Sequence, residues 1–147
     1  MLEKDELLKL ENQLCFAVYS ANLSFNQKYR KLLKPLGLTY SQYLVMLVLW
    51  EKKHAMVSDI GKRLFLESST LTPMLKRLEG LGLIERKRSV QDERQVIITL
   101  TEQGKDLRVL AETIPEKIQC ESEYTLQTIL DIKHQLNDLR DRLNQSG

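Results

Sequence analysis

Ser68-Ser69-Thr70-Leu71-Thr72-Pro73-Met74-Leu75-Lys76-Arg77-Leu78-Glu79-Gly80-Leu81 is the stretch on which the reading of this chain turns. Leu71, Met74, Leu75 and Leu78 recur by three and four, which predicts a helix with one apolar stripe. Ser68 is placed to cap it, the helix running from Ser69 to Leu81, with Gly80 and Gly82 near its end. Pro73 falls in the early turns, where one missing amide donor is tolerated. Away from the stripe stand Ser68, Ser69, Thr70, Thr72, Lys76 and Arg77, side chains able to bond phosphates or base edges. Taken alone, such a face is equally an ordinary solvated one.

The neighbouring segments tilt that balance. Upstream, Ser58 is expected to cap a short helix through Ile60, Leu64 and Phe65, so that two short helices joined by a tight turn form a helix-turn-helix. In such units the second helix leads into the major groove. Downstream, residues 83–88 and 95–100 are β-prone runs separated by Ser89-Val90-Gln91-Asp92-Glu93-Arg94, the pattern of a hairpin with a charged tip. Arg86, Lys87, Arg88 and Arg94 gather on this hairpin, which suits an arm lying along a phosphate backbone with an arginine in the narrow minor groove. Asp92 is placed to orient Arg94 through a charge-assisted bond.

Further outward the chain is helical. From about Asp5 to Leu33, Leu7, Leu10, Leu14, Val18 and Ala21 keep helical spacing, with Cys15 and Tyr19 one turn apart on an adjoining stripe, and a single long first helix is expected. Pro35 and Gly37 end it, and Thr39 caps a second helix carrying Tyr40, Tyr43, Leu44, Leu47, Val48 and Trp50. Glu51-Lys52-Lys53-His54 reads as a charged break. After the hairpin, Thr101 opens another helix, Pro115 interrupts it, and Ile129, Ile132, Leu136, Leu139 and Leu143 offer a seam for a partner helix. The order predicts a mainly α domain with a small β wing, a winged helix-turn-helix.

Size and composition bound the alternatives. With 147 residues, 42% of them hydrophobic, the chain can bury one substantial core with appended helices. The net charge of +2 says little about a polyanionic partner, so charge distribution must decide. A mixed-charge start, Met1-Leu2-Glu3-Lys4-Asp5-Glu6, and the lack of any long apolar run predict a cytoplasmic protein with no membrane partner. His54 and His134 have no short ligand spacing to each other or to Cys15 and Cys120, so no metal site is expected. Phosphate loops, nucleophile elbows and paired-carboxylate motifs are missing too, so neither a cofactor nor an enzyme activity is anticipated.

Two sets of motifs carry a family resemblance over nearly the whole chain. Asp92-Glu93-Arg94, then Leu100-Thr101-Glu102-Gln103-Gly104, resembles the wing signature of MarR-type repressors. Leu10-Glu11-Asn12-Gln13-Leu14-Cys15-Phe16, Leu38-Thr39-Tyr40 and Leu71-Thr72-Pro73-Met74-Leu75-Lys76-Arg77 are similar to the organic-peroxide-sensing OhrR branch. The resemblance implies a MarR-like homodimer on a pseudo-palindromic operator in double-stranded DNA. Residues 1–36 and 105–147 would be dimerisation helices flanking a DNA-binding region over 37–104. Arg94 would enter the minor groove, and Ser68, Thr70 and Arg77 would contact the operator.

The same resemblance makes Cys15 the thiol that reacts with an organic hydroperoxide, with Tyr29 and Tyr40 of the partner subunit hydrogen-bonded to it. Tyr19, one turn after Cys15, is placed to line the pocket. The thiolate is the reactive form of a cysteine, and peroxide takes it to the sulfenic acid, which condenses with a second thiol within reach. In the two-cysteine version of the branch that thiol is the counterpart of Cys120 on the other subunit, the intersubunit disulfide releasing the operator. Without the resemblance, Cys15 would read as buried packing and Tyr29 and Tyr40 as amphipathic residues at a helix junction. Two rival functions use the same residues: a MarR-type repressor released by a small aromatic ligand, and a thiol peroxidase cycling Cys15 and Cys120. Reactivity of Cys15 separates the first rival from the sensor, and the second leaves the recognition helix and wing without a purpose.

Overall fold

The computed structural model describes residues 3–145, and the described chain divides into two compact units, one ending at Ala111 and one beginning at Glu112. The first unit opens with a short helix α1 (Lys4–Leu7) and a single 3-10 turn (Leu10–Asn12), followed by the 20-residue α2 (Leu14–Leu33). The single long first helix expected from the apolar spacing is therefore broken. Side-chain amides account for the break. Asn12 Nδ2 donates to the Glu6 carbonyl at 2.7 Å and Gln13 Nε2 to that of Lys9 at 2.9 Å, so polar side chains take over backbone acceptors that a continuous helix would have used.

A 3-10 turn containing Pro35 (Lys34–Leu36) leads to α3 (Tyr40–Lys52). Thr39 caps α3 as its sequence foretold. Its Oγ1 accepts from Gln42 N at 3.3 Å, and Gln42 Oε1 accepts from Thr39 N at 2.9 Å. This reciprocal box, with a Thr cap worth about 1 kcal/mol, explains why Gln42 is one of the few buried polar residues.

The charged break after α3 contains a strand that the sequence reading missed, β1 (His54–Met56), and α4 (Val57–Leu64) follows at once. Ser58 is consequently inside α4, with Met56 at the N-cap and no side-chain cap bond. The next helix, α5 (Ser68–Gly80), also starts early, by one residue, with Glu67 at the N-cap. Residue preference favours both serines as caps, but extended backbone at Met56 and Glu67 sets the helix starts. Between α4 and α5, Phe65 takes a left-handed turn (φ 58°), and both Phe65 N and Leu66 N donate to the Gly61 carbonyl. A Cβ on Gly61 would lie 2.8 Å from the Leu66 carbonyl oxygen, so this tight turn needs glycine.

Strands β2 (Ile84–Arg88) and β3 (Val96–Leu100) form the expected hairpin, with Ile84 opposite Leu100 and Arg88 opposite Val96. β1 pairs antiparallel on the other side of β3, Ala55 facing Ile98, giving a three-stranded sheet in the order β1-β3-β2. α6 (Glu102–Ala111) closes this unit. Its core comprises Leu33, Val45, Met46, Leu49, Ile60, Leu71, Leu75, Leu78, Ile84 and Ile98, each with at most 1% of its surface exposed.

The second unit holds α7 (Ile114–Ser122), with Pro115 in its first turn, and α8 (Leu126–Gln145). Thr125 Oγ1 accepts from Thr128 N at 3.2 Å at the start of α8. α8 has no buried residue. Among the described residues no single helix is long and apolar enough to cross a membrane.

Candidate nucleic-acid interface and cysteine site

α4 and α5 pack as a helix-turn-helix over the sheet, with Leu71, Leu75 and Leu78 turned into the core. Ser68, Ser69, Thr70, Lys76 and Arg77 are exposed and Thr72 is half-buried. At 100° per residue, Ser69, Lys76 and Arg77 lie opposite the buried stripe, while Ser68 and Thr72 lie on its flank. That flank borders a cleft whose lining includes Ser58, Ser68, Thr72, Arg86, Arg94 and Gln95, so the recognition helix and the wing share one surface.

The wing tip is built by short-range bonds. Ser89 Oγ accepts from Gln91 N and Asp92 N at 3.2 and 3.3 Å, and Ser89 N donates to the Gln95 carbonyl at 2.8 Å. Asp92 Oδ1 accepts from Arg94 N at 3.1 Å and lies 3.4 Å from Arg94 Nε. Arg94 itself is 92% exposed, a cation held out on a rigid turn. Arg88 Nη1 donates to the Glu93 carbonyl at 2.9 Å, bracing the tip from the other side. Lys87 is exposed, next to Glu85.

Arg86 departs from the picture of four cations spread along an arm. Its side chain is only 24% exposed, its guanidinium lies 3.9 Å from a Glu79 oxygen, and its backbone N–H donates to Glu79 at 3.1 Å. It braces α5 against β2, and among the described residues its buried Nε has no hydrogen-bond partner. Sequence periodicity could have shown this, since Arg86 shares a strand face with the buried Ile84.

Cys15 occupies the first turn of α2 and is exposed. Around it α2 carries exposed apolar side chains: Leu14, Phe16, Val18, Tyr19, Leu23 and Phe25. Tyr19 stacks loosely on Phe16, with ring centres 6.5 Å apart. Tyr29 and Tyr40 come together at the other end of α2, with ring centres at 4.9 Å. Tyr43, to which the sequence assigns no role beyond its place on the second helix, packs against Tyr29 at 5.7 Å and Tyr40 at 6.5 Å, and is only 3% exposed. The available signal was the i, i+3 spacing of Tyr40 and Tyr43 on one helix face. Burial, reinforced by Tyr43 and Tyr40, pushes the Tyr29 phenol up to about 12. Burial raises Tyr40 as well, and raises Tyr43 with help from Tyr40. All three phenols thus keep their protons at neutral pH and remain hydrogen-bond donors.

Cys15 and Tyr29 lie on the same 20-residue helix, and a rise of 1.5 Å per residue separates them by about 21 Å along its axis. Within one chain the thiol and the phenol cannot meet. Cys120 is exposed near the end of α7, beside Glu116, Lys117 and Glu121, and α7 ends in a left-handed residue, Glu123. Among the described residues no group of His, Cys, Asp and Glu could hold a metal ion.

A helix-turn-helix with a polar recognition face and a charged β wing defines a winged-helix regulator. Residues 27–110 match the family model described as transcriptional regulator SarA/Rot. Over all 147 residues, and the whole of its relative, the chain is 45% identical to the organic hydroperoxide resistance transcriptional regulator of Bacillus subtilis. Reduced AbfR of Staphylococcus epidermidis bound to DNA superposes with a TM-score of 0.79 at 42% identity, covering 96% of this chain and 99% of that one. Disulfide-formed AbfR gives 0.64 at 41% identity, covering 97% and 94%. The chain belongs to the MarR-like SarA/Rot family of transcriptional regulators, on the organic-hydroperoxide branch that its motifs resemble, and this is a family of regulators and not of enzymes.

Proposed function

We propose that the protein is a cytoplasmic, homodimeric repressor that holds a pseudo-palindromic operator when reduced and releases it when an organic hydroperoxide oxidises Cys15. The observation that carries this reading is the separation of the sensor parts. Cys15 stands exposed on an apolar helix face, a helix length away from the protonated phenols of Tyr29 and Tyr40. A second copy running antiparallel along α2 brings the thiol of one subunit to the phenols of the other. The same pairing covers Leu14, Val18 and Leu23, and the exposed Ile132, Leu136 and Leu143 of α8 supply a second seam.

On the DNA side, Ser68, Ser69, Thr70, Thr72, Lys76 and Arg77 read the major groove and its phosphates. Arg94, held by Asp92, enters the minor groove, while Lys87 and Arg88 follow the backbone and Arg86 steadies the wing against α5.

The redox step transfers one oxygen. The Cys15 thiolate attacks the terminal peroxide oxygen, the O–O bond breaks, the alkoxide leaves and takes a proton as an alcohol, and the sulfur becomes a sulfenic acid. Cys120 of the second copy then attacks that sulfur, an S–S bond forms, and the oxygen leaves as water. Closure needs the two α-carbons within about 7 Å, and whatever shift achieves this alters the spacing of the two recognition helices against their half-sites.

Organic hydroperoxide treatment, alkylation and a non-reducing gel test the scheme. The wild type gives a covalent dimer that reductant reverses, and Cys15→Ser and Cys120→Ser run as monomers. Release from DNA that persists in Cys15→Ser overturns the sensor and favours a ligand-released repressor. A wild type that leaves DNA without forming the covalent dimer removes Cys120 from the mechanism.

A further inference from the structure

The sensor phenols and the DNA-reading elements are joined by an unbroken chain of contacts inside the first unit, and Trp50, at its centre, has no role in the scheme above. Tyr43, packed on both Tyr29 and Tyr40, meets Trp50 edge-on, with ring centres 6.4 Å apart and planes at 66°. Trp50 Nε1 donates to the Gly104 carbonyl at 2.8 Å. Gly104 lies hard against the root of the wing: a Cβ there would sit 2.2 Å from the Leu83 carbonyl oxygen. Gly104 N donates to Thr101 Oγ1 at 3.0 Å, and that hydroxyl donates to the Gly82 carbonyl at 2.6 Å, while Thr101 N donates to Leu83 O at 3.1 Å. Gly82 and Leu83 are the link between the end of α5 and the start of β2.

We infer that Trp50 is a positioning residue that transmits displacement of the Tyr29-Tyr40-Tyr43 cluster to the junction of recognition helix and wing, through its bond to Gly104. The inference rests on the proposed function in one respect, that chemistry at Cys15 of a second copy disturbs Tyr29 and Tyr40. The rest is packing. Tyr43 is buried, and close-packed interiors pass a shift on to their neighbours without absorbing it. The indole is the next neighbour, and its single donor is committed to the one carbonyl whose helix cannot slide independently of Leu83. A movement arriving at Gly104 therefore reaches α5 and β2 together. Were Trp50 only filling space, any aromatic ring would serve.

Trp50 is the sole tryptophan of the chain, so its emission reports on this link directly. The test uses the full-length protein, cumene hydroperoxide, and a labelled duplex selected from random-sequence DNA by the reduced wild type. Trp50→Phe keeps a ring and removes the donor. It is expected to oxidise at Cys15 at the wild-type rate by mass spectrometry and to bind the duplex within about threefold of wild type when reduced, yet to lose about tenfold of the peroxide-induced drop in affinity. In the wild type, peroxide shifts tryptophan emission as the indole N–H leaves its carbonyl, and in Cys15→Ser it does not. A Trp50→Phe protein that releases DNA as fully as wild type overturns the inference while leaving the sensor intact. Unchanged emission in a wild type that does release DNA overturns it as well, and decides the matter should Trp50→Phe not fold. A wild type that fails to oxidise at Cys15 removes the sensor reading and this inference together.

Discussion

The winged part of the first unit and the helices α2 and α8 use their apolar residues in opposite ways. In the winged part Leu49, Ile60, Leu71, Leu75, Leu78, Ile84, Ile98 and Leu100, from α3, α4, α5, β2 and β3, are almost wholly buried, and the exposed faces of α5 and the wing are left mostly to serines, threonines and charged residues. Along α2 the only buried residue is Leu33, and α8 has none, although both helices are spaced with apolar residues. The first region buries most of its large apolar side chains itself, whereas α2 and α8 each present an exposed apolar stripe suited to another helix. The core of the winged part and the apolar stripes of α2 and α8 are thus carried by different residues of this sequence.

The largest expected effect comes from attacking that separation. Ile132→Arg with Leu136→Arg places two charges on the α8 seam, and the double variant should sediment as a monomer with its winged part still folded by circular dichroism. Its affinity for a two-half-site duplex should fall by about 10²- to 10⁴-fold through loss of avidity. A dimeric double variant would show that the seam lies elsewhere. Next in size, Gly104→Ala forces a Cβ against Leu83 O, which should destabilise the winged part by about 3 kcal/mol and lower its Tm by roughly 12–24 °C. Gly80→Ala, with open space around the new Cβ, should leave Tm unchanged or slightly raised. Equal effects from the two would mean that α6 is not clamped to the wing root.

Arg94→Ala removes a cation that is 92% exposed, so calorimetry should find stability unchanged while DNA affinity drops about tenfold and the salt slope shallows. Affinity left intact at moderate salt would take the wing tip out of the interface. The smallest effect is a titration. The Tyr29 phenol sits near 12 in the fold against an ordinary value of 10.0, so the folded state holds its proton more tightly than the unfolded chain. Its stabilising share is complete below about pH 10 and is lost as the pH rises through about 12. Denaturation curves should therefore weaken across that window, and less so in Tyr29→Phe.

Much of this was legible in the sequence because the governing physics is local. The α5 stripe, the Thr39 cap and the hairpin all follow from spacing and residue type within short, continuous stretches of chain. What escaped depended on partners distant in the chain. β1 is three residues long and ends in a half-buried methionine, and only pairing with β3, over forty positions later, makes it a strand. Arg86 reads as a phosphate contact until Glu79 is seen across from it. Tyr43 carries no motif, and its place in the phenol cluster comes from the packing of α2 on α3. The break near Asn12 and Gln13 shows the opposite error, an apolar period followed through residues whose amides prefer backbone acceptors.

The order β1-β3-β2 leaves β2 with one unpaired edge, and four of its five residues, Glu85, Arg86, Lys87 and Arg88, are charged. An open edge strand is a template on which a second copy of the same sheet could add, the first step toward aggregation. β2 carries three cations against one carboxylate, so a copy approaching this edge brings net positive charge to a net positive strand. The polyphosphate backbone proposed as the wing's partner meets no such repulsion. The cations proposed to follow the nucleic-acid backbone, Lys87 and Arg88, thereby also disfavour addition of a second sheet at this edge, and substitutions that neutralise them should lower solubility along with salt-sensitive binding.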